Sequence, residues 1–342
     1  MTRIKVALVG GWGKAPIPEW ITQGFAERDI EFTVRECLTR ADLAECAGDA
    51  DVVWVFGGCR ALTPAQADNL HVLPRCGALI RTGSGTDNVP VARATELGIV
   101  VANTPDAVTD PVADHVVGLL FAAARRIPWH DRAMRQGRWE RDAGYANPHI
   151  HGRVLGLVGF GRIPRRVVQR LSGFELVVLA YDPYVPAETM AQHGARAASL
   201  DDLLTQADFV SVHTPLTEQT HHLINERTLR LMKRTAVLIN TSRGPVVDEP
   251  ALVKALSEGW IRGAGLDVFE REPIDPANPV LKLDNVVLSP HLASLTDEYM
   301  DSCWRYSYET VLDLADGYWP RSYVNHEVSP RMALRARASG PT

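Results

Sequence analysis

The first residues with readable chemistry are two glycines and an aspartate. The segment Val154-Leu-Gly-Leu-Val-Gly-Phe-Gly-Arg-Ile-Pro164 reads as a buried strand, a glycine-rich turn and the start of a helix over 165–171. Gly159 permits the tight turn, and Gly161 lets a pyrophosphate approach the backbone, where the helix amino terminus offers free N–H donors. The third glycine of the G-x-G-x-x-G pattern is replaced by Pro164. Proline is tolerated in a first helical turn, where its missing N–H has no partner within the helix. Asp182 closes the next strand, roughly 20 residues on, where a carboxylate accepts hydrogen bonds from ribose hydroxyls. The same charge repels a 2'-phosphate. An isolated Asp-Pro would merely end a strand, but with strand, turn and helix in register before it the pattern is that of a site for NAD.

Other polar clusters point less far. His149-Ile-His151 has no third ligand beside it, so no metal is expected. Asp114 and His115 are adjacent on a helix pattern and so face different ways. His221-His222 reads as a solvated loop before Leu223.

The elements that must carry these residues alternate regularly. Short β-branched runs at 4–10, 51–57, 78–85 and 99–104 are separated by helical patterns, and a long apolar helix is expected over 110–126. A second strand series follows at 154–159, 176–182, 209–213, 237–240, 263–268 and 286–289. Two series in 342 residues imply an α/β fold of two doubly wound parallel-sheet domains, the first flavodoxin-like and the second Rossmann. The last helix, 297–316, needs somewhere to pack and is expected to return to the first unit. That gives a discontinuous domain of 1–104 with 293–327, a cofactor domain of 105–292, and a mobile tail over 328–342.

Hydrophobic residues at 46% and charged residues at 23% are ordinary for a globular chain, and the net charge of -5 offers no basic field for nucleic acid or anionic lipid. The five cysteines are spread out and never form a C-x-x-C pair, so they read as reduced thiols. With no signal-peptide pattern and no apolar run near the ~18 residues of a membrane span, the expected compartment is the cytoplasm. The expected partner is a small molecule.

Further motifs sharpen this. Arg81-Thr-Gly-Ser-Gly-Thr-Asp-Asn88, Asn103-Thr-Pro105, Val112-Ala-Asp-His115, His213-Thr-Pro-Leu216, Asn240-Thr-Ser-Arg-Gly244, Leu266-Asp-Val-Phe-Glu-Arg-Glu-Pro273 and Ser289-Pro-His291 follow one another in order. In these motifs the chain resembles the D-isomer-specific 2-hydroxyacid dehydrogenases. That family includes glyoxylate and hydroxypyruvate reductases, phosphoglycerate dehydrogenases and the C-terminal-binding-protein corepressors.

The resemblance implies catalytic roles for Arg243, Glu272 and His291, and each suits the chemistry. Reduction of a 2-oxo acid puts negative charge on the carbonyl oxygen, so an acid such as His291 must stand beside it. A neighbouring carboxylate, Glu272, favours the protonated ring. The Arg243 fork matches a substrate carboxylate. Glutamate as the histidine's partner disfavours the formate dehydrogenase branch. By the same resemblance Ser84 and Gly85 offer N–H groups to the substrate carboxylate, and Arg162 and Ile163 lie at the pyrophosphate. Thr214, Thr241 and Ser242 would line the cofactor cleft, Asp267 would receive the nicotinamide carboxamide, and the first domain would bind substrate. Trp129 and Trp139 flank an arm that in the family crosses to a second subunit, so a homodimer is expected.

Two rivals stay open at this stage. The run Thr104-Pro-Asp-Ala-Val-Thr-Asp-Pro-Val-Ala-Asp-His115 leans toward the corepressors, which bind dinucleotide as sensors and keep the same trio. Phosphoglycerate dehydrogenase is the other, but Gly57 stands where that branch places a phosphate-binding arginine, with Arg60 nearby and out of register. An unphosphorylated acid is therefore preferred. The loop 11–20, rich in Gly, Pro and Trp, is expected to shape the pocket.

Overall fold

Runs of β-branched residues that are apolar at every position can be satisfied only when both faces of a strand are covered, and the chain builds two such sheets. The computed structural model describes residues 3–11, 16–139 and 147–337. It divides into two units, Met1–Val108 with Thr296–Thr342, and Thr109–Leu295. The change-overs fall a few residues later than the sequence suggests, because the short turn Pro105–Ala107 stays with the first unit.

The first unit holds five strands, β1 (Lys5–Val9), β2 (Glu31–Arg35), β3 (Val52–Val55), β4 (Ala78–Arg81) and β5 (Val100–Asn103). They are parallel in the order β2-β1-β3-β4-β5. This is the flavodoxin-like order, with its switch point between β1 and β3. Every residue of β3 and β5 is buried. The edge strand β2 is missing from the sequence reading, and its composition explains why: Glu31, Thr33 and Arg35 are polar, and none of its residues is fully buried. The helix Tyr299–Ala315 returns to this sheet, where Trp304 meets Trp54 edge-on with ring centroids 5.4 Å apart.

The second unit holds β6 (Val154–Val158), β7 (Val177–Tyr181), β8 (Arg196–Ala197), β9 (Phe209–Val212), β10 (Val237–Asn240), β11 (Gly263–Leu266) and β12 (Val286–Leu288). All pairs are parallel, in the order β12-β11-β10-β9-β6-β7-β8. That is the Rossmann order extended by one strand, and its switch point lies between β6 and β9. The long helix, expected over 110–126, runs Thr109–Ala124 and buries Val112, Val116, Leu119 and Leu120. No helix among the described residues is long and apolar enough to cross a membrane.

The expected mobile tail is corrected over 328–337. The Arg331 N–H donates to Gly98 O (2.9 Å), the Arg335 N–H to Gly317 O (2.8 Å) and the Trp319 N–H to Arg335 O (3.1 Å), while Arg337 pairs with Asp313. Backbone hydrogen bonds and arginine contacts anchor this segment, and neither leaves an apolar period in the sequence. Residues 338–342, and residues 12–15 of the 11–20 loop, lie outside the described residues.

Candidate active site

At the switch point of the second unit, Gly159 has φ +93°, and a Cβ there would stand 3.0 Å from the carbonyl of His213 and 3.1 Å from Thr214 N. Only glycine lets the turns after β6 and β9 approach this closely. The next glycine is different. A Cβ on Gly161 would meet no described atom within 4 Å, so packing within the chain does not require glycine here. Among the described residues the amides of Gly161 and Ile163 find no acceptor, and they lie at the start of the helix Arg162–Arg170. Unfilled donors with open space before them suit an anion such as a pyrophosphate.

The helix begins three residues earlier than its sequence signal, which places Pro164 in the first turn, with its ring buried. Pro164→Gly is accordingly expected to change dinucleotide affinity by less than about threefold, because the free amides precede it. A tenfold gain in a fluorescence titration would show instead that proline had impaired the cradle. Asp182 accepts from the amides of Phe160 (2.8 Å, Oδ2) and Tyr184 (2.9 Å, Oδ1), which fixes the carboxylate at the end of β7. Each oxygen keeps a second lone pair for a ribose hydroxyl.

Thr214 and Thr241 follow β9 and β10, and among the described residues the buried Oγ1 atom of each finds no hydrogen-bond partner. Such an orphan costs about 1–3 kcal/mol unless something fills it, so both fit a site completed by a bound polar group. His213 is a different case. Desolvation pushes its ring down to about 3, and Nε2 meets the Ser211 hydroxyl at 2.9 Å, so it stays neutral and is no proton donor.

The loop after β10 is built on Asn240, which is buried. Its Oδ1 accepts from Ser242 N (3.0 Å) and Ser242 Oγ (2.8 Å), while Nδ2 donates to Arg243 O (3.0 Å). Arg243 is half-buried and extended, and its Nη1 donates to Ser242 O at 2.8 Å. A Cβ on Gly244 would lie 1.9 Å from the Phe269 carbonyl and 2.5 Å from Glu270 N, so this loop is pressed against the one after β11.

That second loop carries Glu272, whose Oε1 accepts from Phe269 N (3.0 Å) and whose Oε2 meets His291 Nδ1 at 2.6 Å. The distance is at the short end for a charge-assisted bond. The His291 side chain is 49% exposed, and among the described residues its Nε2 has no partner. His291 also sits at φ +51°, a left-handed conformation that costs a non-glycine residue about 1–2 kcal/mol. Its N–H donates to Asp267 O at 2.7 Å, which helps hold it there.

Asp267 is wholly buried and exposes no carboxylate oxygen. Its Oδ1 accepts from Ser289 Oγ (2.6 Å) and Leu292 N (2.9 Å), and its Oδ2 from Ala293 N (2.9 Å). Ser289 Oγ in turn lies 2.9 Å from His115 Nε2. Sequence reasoning set His115 aside beside Asp114, and the structure separates the two: Asp114 turns to Arg170 at 2.6 Å. His149 and His151 show no metal grouping among the described residues, and His222 meets Glu270 at 2.7 Å.

In the first unit, the loop after β4 holds Ser84 and Gly85. Thr104 Oγ1 accepts from Gly83 N (2.7 Å), and Asn103 Nδ2 donates to Ser84 O (2.8 Å). Among the described residues the amides of Ser84 and Gly85 find no acceptor. Beside this loop a cavity of about 260 Å³ opens at the carboxyl ends of β1–β3, walled by Gly10, Glu36, Cys37, Arg60 and Asn88 among others.

The chain is similar to several known proteins. Residues 117–293 match the family model described as D-isomer specific 2-hydroxyacid dehydrogenase, NAD binding domain. The glyoxylate reductase of Korarchaeum cryptofilum is 45% identical over 271 residues, 78% of this chain and 81% of that protein. The D-3-phosphoglycerate dehydrogenase of Methanocaldococcus jannaschii is 37% identical over 305 residues, 89% of this chain and 57% of that one. Among solved structures, an NADPH-dependent glyoxylate/hydroxypyruvate reductase from Sinorhizobium meliloti, in complex with NADP and malonate, superposes with a TM-score of 0.79. It is 30% identical, covering 97% of this chain and 100% of that one.

Proposed function

The chain belongs to the D-isomer specific 2-hydroxyacid dehydrogenases, and from that premise we propose that it reduces a small 2-oxo acid of the glyoxylate or hydroxypyruvate type to the D-2-hydroxy acid, using NADH. The observation that carries this reading is the Glu272–His291 pair, 2.6 Å apart, with Nε2 of the ring left open among the described residues. When bound, the reduced dinucleotide supplies the hydride that C2 receives. Gly159, Gly161, Arg162, Ile163 and Asp182 would hold it, and Thr214, Thr241 and Ser242 would line the cleft around it. Asp267, expected at the nicotinamide carboxamide, has its carboxylate buried and bonded within the chain, so it would support the nicotinamide half from behind.

The chain's own work is on the other charges. His291 holds a proton on Nε2 for the carbonyl oxygen, and Glu272 accepts from Nδ1, fixing the ring and supplying its counter-charge. Arg243 supplies a permanent positive charge to the carboxylate and the carbonyl. Ser84 and Gly85 supply paired amides to a carboxylate. In the cavity wall Arg60 favours a phosphorylated acid and Glu36 opposes it. A panel of glyoxylate, hydroxypyruvate, pyruvate and phosphohydroxypyruvate, followed by NADH consumption, tests the reading. Tight NADH binding with no turnover of any acid would favour a dinucleotide sensor.

NADH over NADPH is part of the proposal. It rests on Asp182 and on the absence of an arginine at Pro183 or Tyr184. The Sinorhizobium relative is NADPH-dependent, and the ratio of kcat/KM for the two cofactors distinguishes the cases. The expected kcat/KM ratio favours NADH by at least about tenfold, and Asp182→Ala should narrow it by relieving repulsion of the 2'-phosphate. Equal use of both cofactors by the wild type would overturn this assignment.

A homodimer in the cytoplasm completes the proposal. Ile127, Met134 and Trp139, on and just after the helix Ile127–Arg135, are 54, 51 and 74% exposed, a good deal of apolar surface for one short arm. Light scattering should give about twice the 37.6 kDa chain mass, and a monomer at micromolar concentration would contradict it.

A further inference from the structure

We propose that His115, on the helix Thr109–Ala124, is a positioning residue for His291, acting through Ser289 and Asp267. The inference rests on the function proposed above. It starts from a hydrogen-bond direction. Asp267 Oδ1 can only accept from the Ser289 hydroxyl at 2.6 Å, so that hydroxyl is committed as a donor and must accept from His115 Nε2–H at 2.9 Å. His115 therefore fixes which way Ser289 points. His115 Nε2 also lies 3.6 Å from Asp267 Oδ1.

The carboxylate so oriented is what holds the turn. Its two oxygens take the amides of Leu292 and Ala293, the residues that follow His291, while the Asp267 carbonyl takes the His291 amide. His291 is thus bracketed by one residue in a backbone conformation that it would not adopt unaided. If Ser289 is free to rotate, Oδ1 loses its shortest bond and the carboxylate can swing. The ring would then drift from its productive place, and a misplacement of about 1 Å can cost up to about a hundredfold in rate. The arrangement is specific to His115. Its helix neighbours Asp110 and Asp114 are drawn the other way, to Arg166 and Arg170. No proton passes through His115 in this scheme.

The test uses His115→Leu, which removes the donor, His115→Gln, which keeps an N–H, and Ser289→Ala. In His115→Leu kcat for glyoxylate should fall at least about tenfold, with KM and NADH affinity within about twofold. His115→Gln should recover most of the loss. The double variant His115→Leu/Ser289→Ala should be no worse than the poorer single one, since both break the same chain.

A second readout does not depend on turnover. The ¹⁵N resonances of the His291 ring, assigned by their loss in His291→Gln, should move in His115→Leu and stay in place in His115→Gln. Unmoved resonances in His115→Leu, or losses that multiply in the double variant, overturn the inference. If the wild type reduces none of the acids the functional reading falls, and the resonances alone still decide this one. Should His115→Leu fail to fold, Ser289→Ala makes the smaller change and reads the same resonances.

Discussion

His291→Ala is expected to lower kcat by about 10²- to 10⁴-fold while leaving NADH affinity within about twofold. Among the described residues the ring is tied through Nδ1 alone, by Glu272 at 2.6 Å, and Nε2 is the atom offered to a substrate. A proton donor acts where charge develops in the transition state, so its removal is felt in kcat and little in the binding of cofactor. The backbone of the turn is held by Asp267 through amides, which alanine retains. Stopped-flow turnover and a fluorescence titration of NADH, run on the same variant, separate the two effects. Loss of both together would place His291 in the fold of the site and not in its chemistry.

Arg243→Ala should be as damaging and differently distributed, with KM for the acid raised, kcat lowered, and kcat/KM down by about 10³- to 10⁴-fold. One guanidinium serves a carboxylate in the ground state and a developing oxyanion afterwards, so both parameters move. The loop itself should survive, because Asn240 grips Ser242 and the Arg243 carbonyl, groups that alanine at 243 leaves in place. Arg243→Lys keeps the charge and loses the fork, so it should recover only part of the loss. An unchanged KM in Arg243→Ala would separate this residue from substrate binding.

The central strands were legible because β3, β9 and β10 are covered on both faces and are apolar at every position but Ser211 and Asn240. The edge strands β2 and β8 were not, since half of their ladder is unpaired and their residues are polar or few. The start of the helix Arg162–Arg170 was misplaced because Arg162 and Ile163 extend no apolar period; the Gly161 cap alone marks it. The tail over 328–337 is docked by backbone bonds, which composition does not encode. Glu272 and His291 could be paired through their motifs, yet only the structure shows the 2.6 Å contact. His115 lay beyond reach, because its partner Ser289 stands 174 positions away. The open side of Gly161 and the orphaned hydroxyls of Thr214 and Thr241 are likewise properties of the folded chain.

The most direct measurement is the glyoxylate-dependent loss of NADH absorbance by the purified wild-type chain beside His291→Ala, with NADH binding confirmed in both. The account predicts steady turnover by the wild type and a rate at least about a hundredfold lower in the variant at equal cofactor occupancy. A variant that turns over at the wild-type rate would contradict it.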